Sequence, residues 1–187
     1  MTALVTHPLL VGRRRQKAVR VLAGIAMMAG FVLITFAILA RFAGPWGVPY
    51  FGFTSDRGSP CTNTFTGYEC TPTTLAEVEF YAELDLPDDT RVVEGTYRST
   101  HDYRLDARLE VPAGSADAAL KALNEAFGPC LPSQPSPLDT KGLTQVCTMA
   151  TVDAFSESGE PASRLYVVGT GVREDGTRPI SMTIRSR

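Results

Sequence analysis

Asp102–Val111 reads DYRLDARLEV, and this decade decides the fold class. Tyr103, Leu105, Ala107, Leu109 and Val111 fall on one side, while Asp102, Arg104, Asp106, Arg108 and Glu110 fall on the other. Strict alternation with a period of two is the pattern of a strand that buries one face. The charged face alternates in sign, so near neighbours attract, although exposed pairs contribute only about 0–1 kcal/mol each. Upstream, Arg91–Arg98 (RVVEGTYR) is rich in β-branched and aromatic residues and reads as a second strand. Ser99-Thr100-His101 supplies a turn, so the two strands form a hairpin.

Downstream, Pro112-Ala113-Gly114 breaks the strand and Ser115 is placed to cap a helix over Ala116–Phe127. Asp117 sits in its first turn, where the helix dipole favours a negative charge. Ala119, Leu120, Leu123, Ala126 and Phe127 give the helix an apolar stripe, and Gly128-Pro129 stops it. Cys130–Gly142 is proline-rich and reads as an extended loop. Leu143–Val152 reads as a strand containing Cys147, and Ser156–Ala162 as a polar turn. Arg164–Arg173 and Ile180–Arg185 form a second hairpin across Glu174–Pro179, with Ile180, Met182 and Ile184 facing inward.

Leu75–Leu86 is less clear. Ala76, Val78, Phe80, Ala82, Leu84 and Leu86 alternate with Glu77, Glu79, Glu83 and Asp85, which argues for a half-buried strand. Glu, Leu and Ala are also good helix formers, so a helix is the alternative. Pro87-Asp88-Asp89 ends the element. With the strand reading, the order is β-β-β-α-β-β-β. This is an α+β fold of two layers, an antiparallel sheet covered by one main amphipathic helix.

The chain before this domain is of a different kind. Val21–Ala40 (VLAGIAMMAGFVLITFAILA) holds no charged residue. A hydrocarbon core of about 30 Å needs about 20 such residues as a helix. Arg13, Arg14, Arg15, Lys17 and Arg20 precede the run, and only Arg41 follows closely. The positive-inside bias then places residues 1–20 in the cytoplasm as a basic tail, with Met1–Leu10 disordered. Residues 21–42 form a single transmembrane helix, an uncleaved signal anchor in contact with membrane lipid. Trp46 and Tyr50 follow at headgroup level. A cleaved signal peptide is the competing reading; the apolar run is too long for it, and Ile38 and Arg41 spoil the small-residue cleavage pattern at Ala40 and Ala43. Residues 43–60 carry Gly, Pro and aromatics and read as a juxtamembrane linker. Residues 61–187 are then an extracytoplasmic domain.

Charge and cysteine follow the same division. Residues 1–41 carry six basic groups and no acidic one, leaving all 20 acidic and twelve basic groups to the rest, a balance of −8. An acidic exported domain argues against a nucleic-acid partner. Cys61, Cys70, Cys130 and Cys147 all fall on the outer side, an even count that fits disulfides in an oxidising compartment. Of three possible connectivities, Cys61–Cys70 with Cys130–Cys147 closes two short local loops. Their spacing and the lack of nearby His do not match a zinc site, and CxxC is absent.

No stretch names a reaction, a cofactor or a metal. His7 is cytoplasmic in this topology, so His101, in a turn, is the one outer histidine, and no GxSxG accompanies it. Glu77/Glu79, Glu83/Asp85 and Asp88/Asp89 are paired acids on a solvated strand face or in a turn. Arg98, Arg104 and Arg108 would grip an anion only if they converged, and their acidic neighbours favour a neutralised surface. Gly169 and Gly171 lack the third glycine and the helix of a dinucleotide fingerprint, and mark a bulge or close packing against the helix. The expected function is a membrane-anchored, non-enzymatic domain that binds a protein or another component of the cell envelope. The alternative is an extracytoplasmic hydrolase with a site near His101.

Overall fold

The computed structural model describes residues 9–131, 134–151 and 163–186, with side chains of the first helix from Lys17 onward. Residues 1–8, with His7 and most of the tail read as disordered, lie outside the described residues, as does the turn expected at Ser156–Ala162. The chain divides into two units, one ending at Trp46 and one beginning at Gly47.

The first unit is α1, Leu9–Ala43, a helix of 35 residues. It starts well before the apolar run, so the basic residues 13–20 are helical and continuous with it. Within it Lys17–Ala43 is long and apolar enough to cross a membrane, and its most apolar window is wholly unburied. Phe31 is 71% exposed and Met27 78%.

Among the described residues the second unit is an antiparallel sheet of eight strands with two α-helices. The strands are β1 Gly52–Thr54, β2 Pro60–Asn63, β3 Tyr68–Cys70, β4 Arg91–Ser99, β5 Tyr103–Val111, β6 Thr144–Ala150, β7 Arg164–Val172 and β8 Arg178–Ser186. The helices are α2 Leu75–Ala82 and α3 Ala116–Phe127. The order across the sheet is β1-β2-β3-β4-β5-β8-β7-β6. The chain runs strand to neighbour as far as β5, crosses through α3 to the far edge, and returns through β6 and β7 until β8 pairs with β5.

The alternation of Asp102–Val111 gives the middle of this sheet. Leu105, Ala107, Leu109 and Val111 are buried, and across the register Ala107 meets Gly95 and Met182, and Met182 meets Val168. Ile180, Met182 and Ile184 are buried on the same face, as expected. Val78 and Ala82 of α2 and Ala119, Leu123 and Phe127 of α3 join that core. Each large apolar side chain so buried contributes about 1.5–3 kcal/mol. Tyr81 of α2 stacks on Tyr97 at 3.8 Å between centroids, and its hydroxyl lies 3.4 Å from that of Tyr68. Burial pushes the Tyr81 hydroxyl well above the usual tyrosine range and raises that of Tyr97. The disulfides join Cys61 to Cys70, a facing pair of β2 and β3, and Cys130 to Cys147.

Four expectations are corrected. Leu75–Leu86 is not a strand: residues 75–82 are helical and buried through Glu77, Val78 and Ala82. The deciding signal is the N-cap Thr74, whose hydroxyl accepts the Glu77 N–H at 3.3 Å, while the Thr74 N–H itself donates to the Ser59 hydroxyl at 3.0 Å. Glu83 then stops the helix at φ 53°. There are accordingly two helices on the core face rather than one. The linker read at residues 43–60 contributes β1, whose three residues pair with Pro60–Thr62. Ser115 makes no side-chain cap; a 3₁₀ turn, Ala113–Ser115, leads into α3, and the Ser115 hydroxyl donates to Asp89 at 2.8 Å.

Candidate functional site

The face of the sheet opposite the helices bears the charged half of each alternation. An antiparallel sheet tolerates water on one face, so polarity there is not in itself a site. What distinguishes this one is the segment 134–143, which crosses part of it. Pro137 and Ser136 rest directly on Gly169 of β7, where an added Cβ would stand 2.5 Å from the proline Cδ and 2.8 Å from the serine Oγ. The close packing expected at Gly169 and Gly171 is therefore real, but its partners are Pro137 and Leu143 of this loop and not a helix. The Cys130–Cys147 bond and the Leu131 N–H to Thr148 carbonyl bond, 2.7 Å, hold the chain ahead of the segment to β6.

Two clefts open beside the loop and meet at Arg108 and Pro137. The larger, about 690 Å³, runs between the loop and the β7–β8 turn, with Lys141, Arg173 and Asp175 in its walls. The smaller, about 270 Å³, lies on β4, β5 and β8, floored by Thr96, Asp106, Ser181 and Thr183.

The arginines singled out by sequence do not converge on a ligand. Arg98 pairs with Glu69 at 2.8 Å, Arg104 with Asp106 at 2.5 Å and Arg108 with Glu94 at 3.3 Å. Asp106 also accepts the Thr183 hydroxyl at 2.8 Å. Burial pushes its carboxyl up, but the bonds from Arg104 and Thr183 outweigh this and leave it below the usual range. Glu110, not singled out by sequence, bridges Arg173 at 2.7 Å and Arg91 on its two oxygens. Hydrogen bonds from Arg173 and Arg91 hold its carboxyl low. The register of β4 against β5 could have shown it, since Arg91 faces Glu110 directly.

The paired acids are dispersed. Glu77, read as a solvated residue, is 1% exposed and accepts the Ser55 hydroxyl at 2.7 Å, tying the segment after β1 to α2. Glu79 accepts the Leu86 N–H at 3.0 Å, Glu83 pairs with Arg164 at 3.0 Å, and Asp89 takes Ser115. His101 is exposed in the β4–β5 turn. Among the described residues no group of three His, Cys, Asp or Glu side chains is arranged to hold a metal ion. Arg178 is the largest fully buried side chain; its Nε and Nη1 find no acceptor among the described residues. Burial draws its pKa down, and Asp117 of α3 opposes that shift.

No family model, no curated protein and no solved structure matches this chain.

Proposed function

We propose that the chain is a single-pass membrane protein of the cell envelope. Residues 1–20 lie in the cytoplasm, residues 21–42 span the lipid, and the disulfide-stapled domain stands outside as a non-enzymatic binding module. The topology is supported by the basic residues preceding the span and by four cysteines that all form disulfides beyond it.

One observation carries the binding reading: the loop 134–143, fixed across the helix-free face, converts a flat solvated sheet into a walled cleft of about 690 Å³. Its lining is balanced in charge, Arg108, Lys141 and Arg173 against Asp139, Glu174 and Asp175. Balanced polar walls suit a protein segment or polar envelope polymer that offers both signs, and not a polyanion.

Crosslinking and co-purification from native membranes tests this, comparing the full chain with one carrying an unrelated span in place of residues 21–42. A stoichiometric partner retained by both supports the exported binding module. A partner lost with the native span moves the function into the bilayer, and no partner in either refutes the reading. The mass of the membrane-extracted protein tests the anchor, since signal cleavage would remove residues through the apolar run.

A further inference from the structure

One end of the sheet carries an aromatic edge that neither the core nor the clefts use. The chain enters the domain at Gly47, and Val48, Tyr50 and Phe51 follow at 39%, 74% and 40% exposure. Phe65, in the β2–β3 turn, is 77% exposed and meets the Tyr50 ring edge to face, centroids 5.3 Å apart. These rings are held outward by structure. The Tyr50 N–H donates to the Asn63 carbonyl at 2.9 Å, and Asn63 returns its own N–H and its Nδ2 to the Phe51 carbonyl at 3.1 and 3.2 Å. The Thr64 N–H closes the turn on the Gly67 carbonyl at 2.8 Å, and the Cys61–Cys70 bond lies at its base. Tyr50 itself sits at φ 67°, a region an aromatic residue occupies only when its surroundings enforce it. A contiguous exposed apolar patch of this kind marks an interaction surface.

The same end bears arginine. Arg98, Arg104 and Arg185 face one another in register across β4, β5 and β8, one residue in from the row that contains Asn63, Tyr68 and Ser99. Arg98 and Arg104 keep Glu69 and Asp106, while Arg185 makes no salt bridge among the described residues.

We propose that this end of the domain rests on the lipid headgroup layer of the membrane that α1 crosses, with Tyr50, Phe51 and Phe65 inserted at the interface. The proposal rests on the anchoring reading above. Lipid is the fitting occupant because of the tether. Only Gly44, Pro45 and Trp46 separate α1 from Gly47. At about 3.6 Å per residue, Tyr50 lies within about 25 Å of the end of the helix. The interface is therefore within reach of Tyr50, and tyrosine, phenylalanine and arginine are side chains that partition between acyl chains and headgroups.

Trp46 is the single tryptophan of the chain, which permits a direct test. In a Trp46→Phe background, Phe65→Trp and, as a control on α2, Phe80→Trp are each introduced into the full chain. Each is reconstituted into phosphatidylcholine vesicles with and without bromine on the acyl chains. Emission from the Phe65→Trp chain is expected to be blue-shifted and lost in brominated lipid, with the Phe80→Trp chain unchanged. Equal, unquenched emission from both overturns the proposal. A blue shift without quenching also overturns it, by showing that protein covers the patch. The unaltered chain separates the two readings. Quenched Trp46 beside an unquenched reporter at position 65 leaves the anchor standing and removes the docking. Unquenched Trp46 in a chain that alkaline carbonate releases removes both.

Discussion

Replacing Cys130 and Cys147 together by Ala tests whether the walled cleft depends on its covalent tie. The bond links residues 17 apart in sequence. Closing a loop of that length removes about 10 cal/mol/K from the unfolded chain, about 3 kcal/mol at 25 °C. Alanine leaves no new polar group at Cys147, which is 5% exposed. The noncovalent ties remain: Leu131 to Thr148, and Pro137 seated on Gly169. The expected loss is therefore about 2–4 kcal/mol, read as a lower urea midpoint by far-ultraviolet circular dichroism of the full chain in detergent. The parallel Cys61→Ala, Cys70→Ala chain, with a separation of 9, is expected to lose about 0.5 kcal/mol less by the same relation. Hydrogen exchange locates the effect: β6 amides open early in the Cys130, Cys147 variant, while the β4–β5 hairpin still opens only with global unfolding. A loss below about 1 kcal/mol, or exchange accelerated equally in every strand, would show that packing and not the disulfide holds the loop.

Three further outcomes follow from the same geometry. Thr74→Ala removes the α2 cap together with a bond to the Arg57 carbonyl at 2.8 Å, and costs about 1–2 kcal/mol in the same unfolding assay. Gly169→Ala drives its new methyl into Pro137 and displaces the loop at a cost of about 1–3 kcal/mol, read as a lower urea midpoint; co-purification of the cleft's partner is lost, and a retained partner refutes the assignment of the cleft. Asp106 and Glu110 have carboxyls held below their ordinary values. Their stabilisation is thus present above the unfolded carboxylate pKa of about 4 and is lost as pH falls through the lower folded values. Urea midpoints measured between neutral pH and about pH 3 are expected to fall on acidification, and to fall less in an Asp106→Asn, Glu110→Gln chain.

The β4–β5 hairpin, α3 and the last hairpin were legible because each buries one face and repeats its pattern for at least two turns or several alternations. The α2 segment was not, because Ala-Glu-Val-Glu-Phe alternates with period two and also suits a helix; the Thr74 cap was the arbiter, and Thr74 lies just before the alternation. The strand β1 was illegible for another reason. Three residues have no period, and Gly52–Thr54 is extended only because β2 offers it a ladder. The site was the least legible part. Nothing local in Pro135 or Pro137 says that a loop will lie on a glycine some 30 residues later. The paired state of Arg98, Arg104 and Arg108 was foreshadowed by their acidic neighbours, but the partners Glu69 and Glu94 stand on adjacent strands and emerge only from register.

The strand order has a consequence for the time before the sheet is complete. β5 reaches its second neighbour only when Arg178–Ser186 has been synthesised, because Val111 pairs with Arg178 and Arg104 with Arg185. Without β8 the strands β5 and β7 lack the neighbour they share, and each leaves an edge of unpaired backbone groups, the configuration most prone to joining another chain. The alternating Arg104, Asp106, Arg108 and Glu110 of β5 are the residues that waiting edge displays. Charged side chains along such an edge disfavour pairing with another chain, so the same alternation that feeds the salt bridges of the finished sheet also suits a strand that waits for its neighbour.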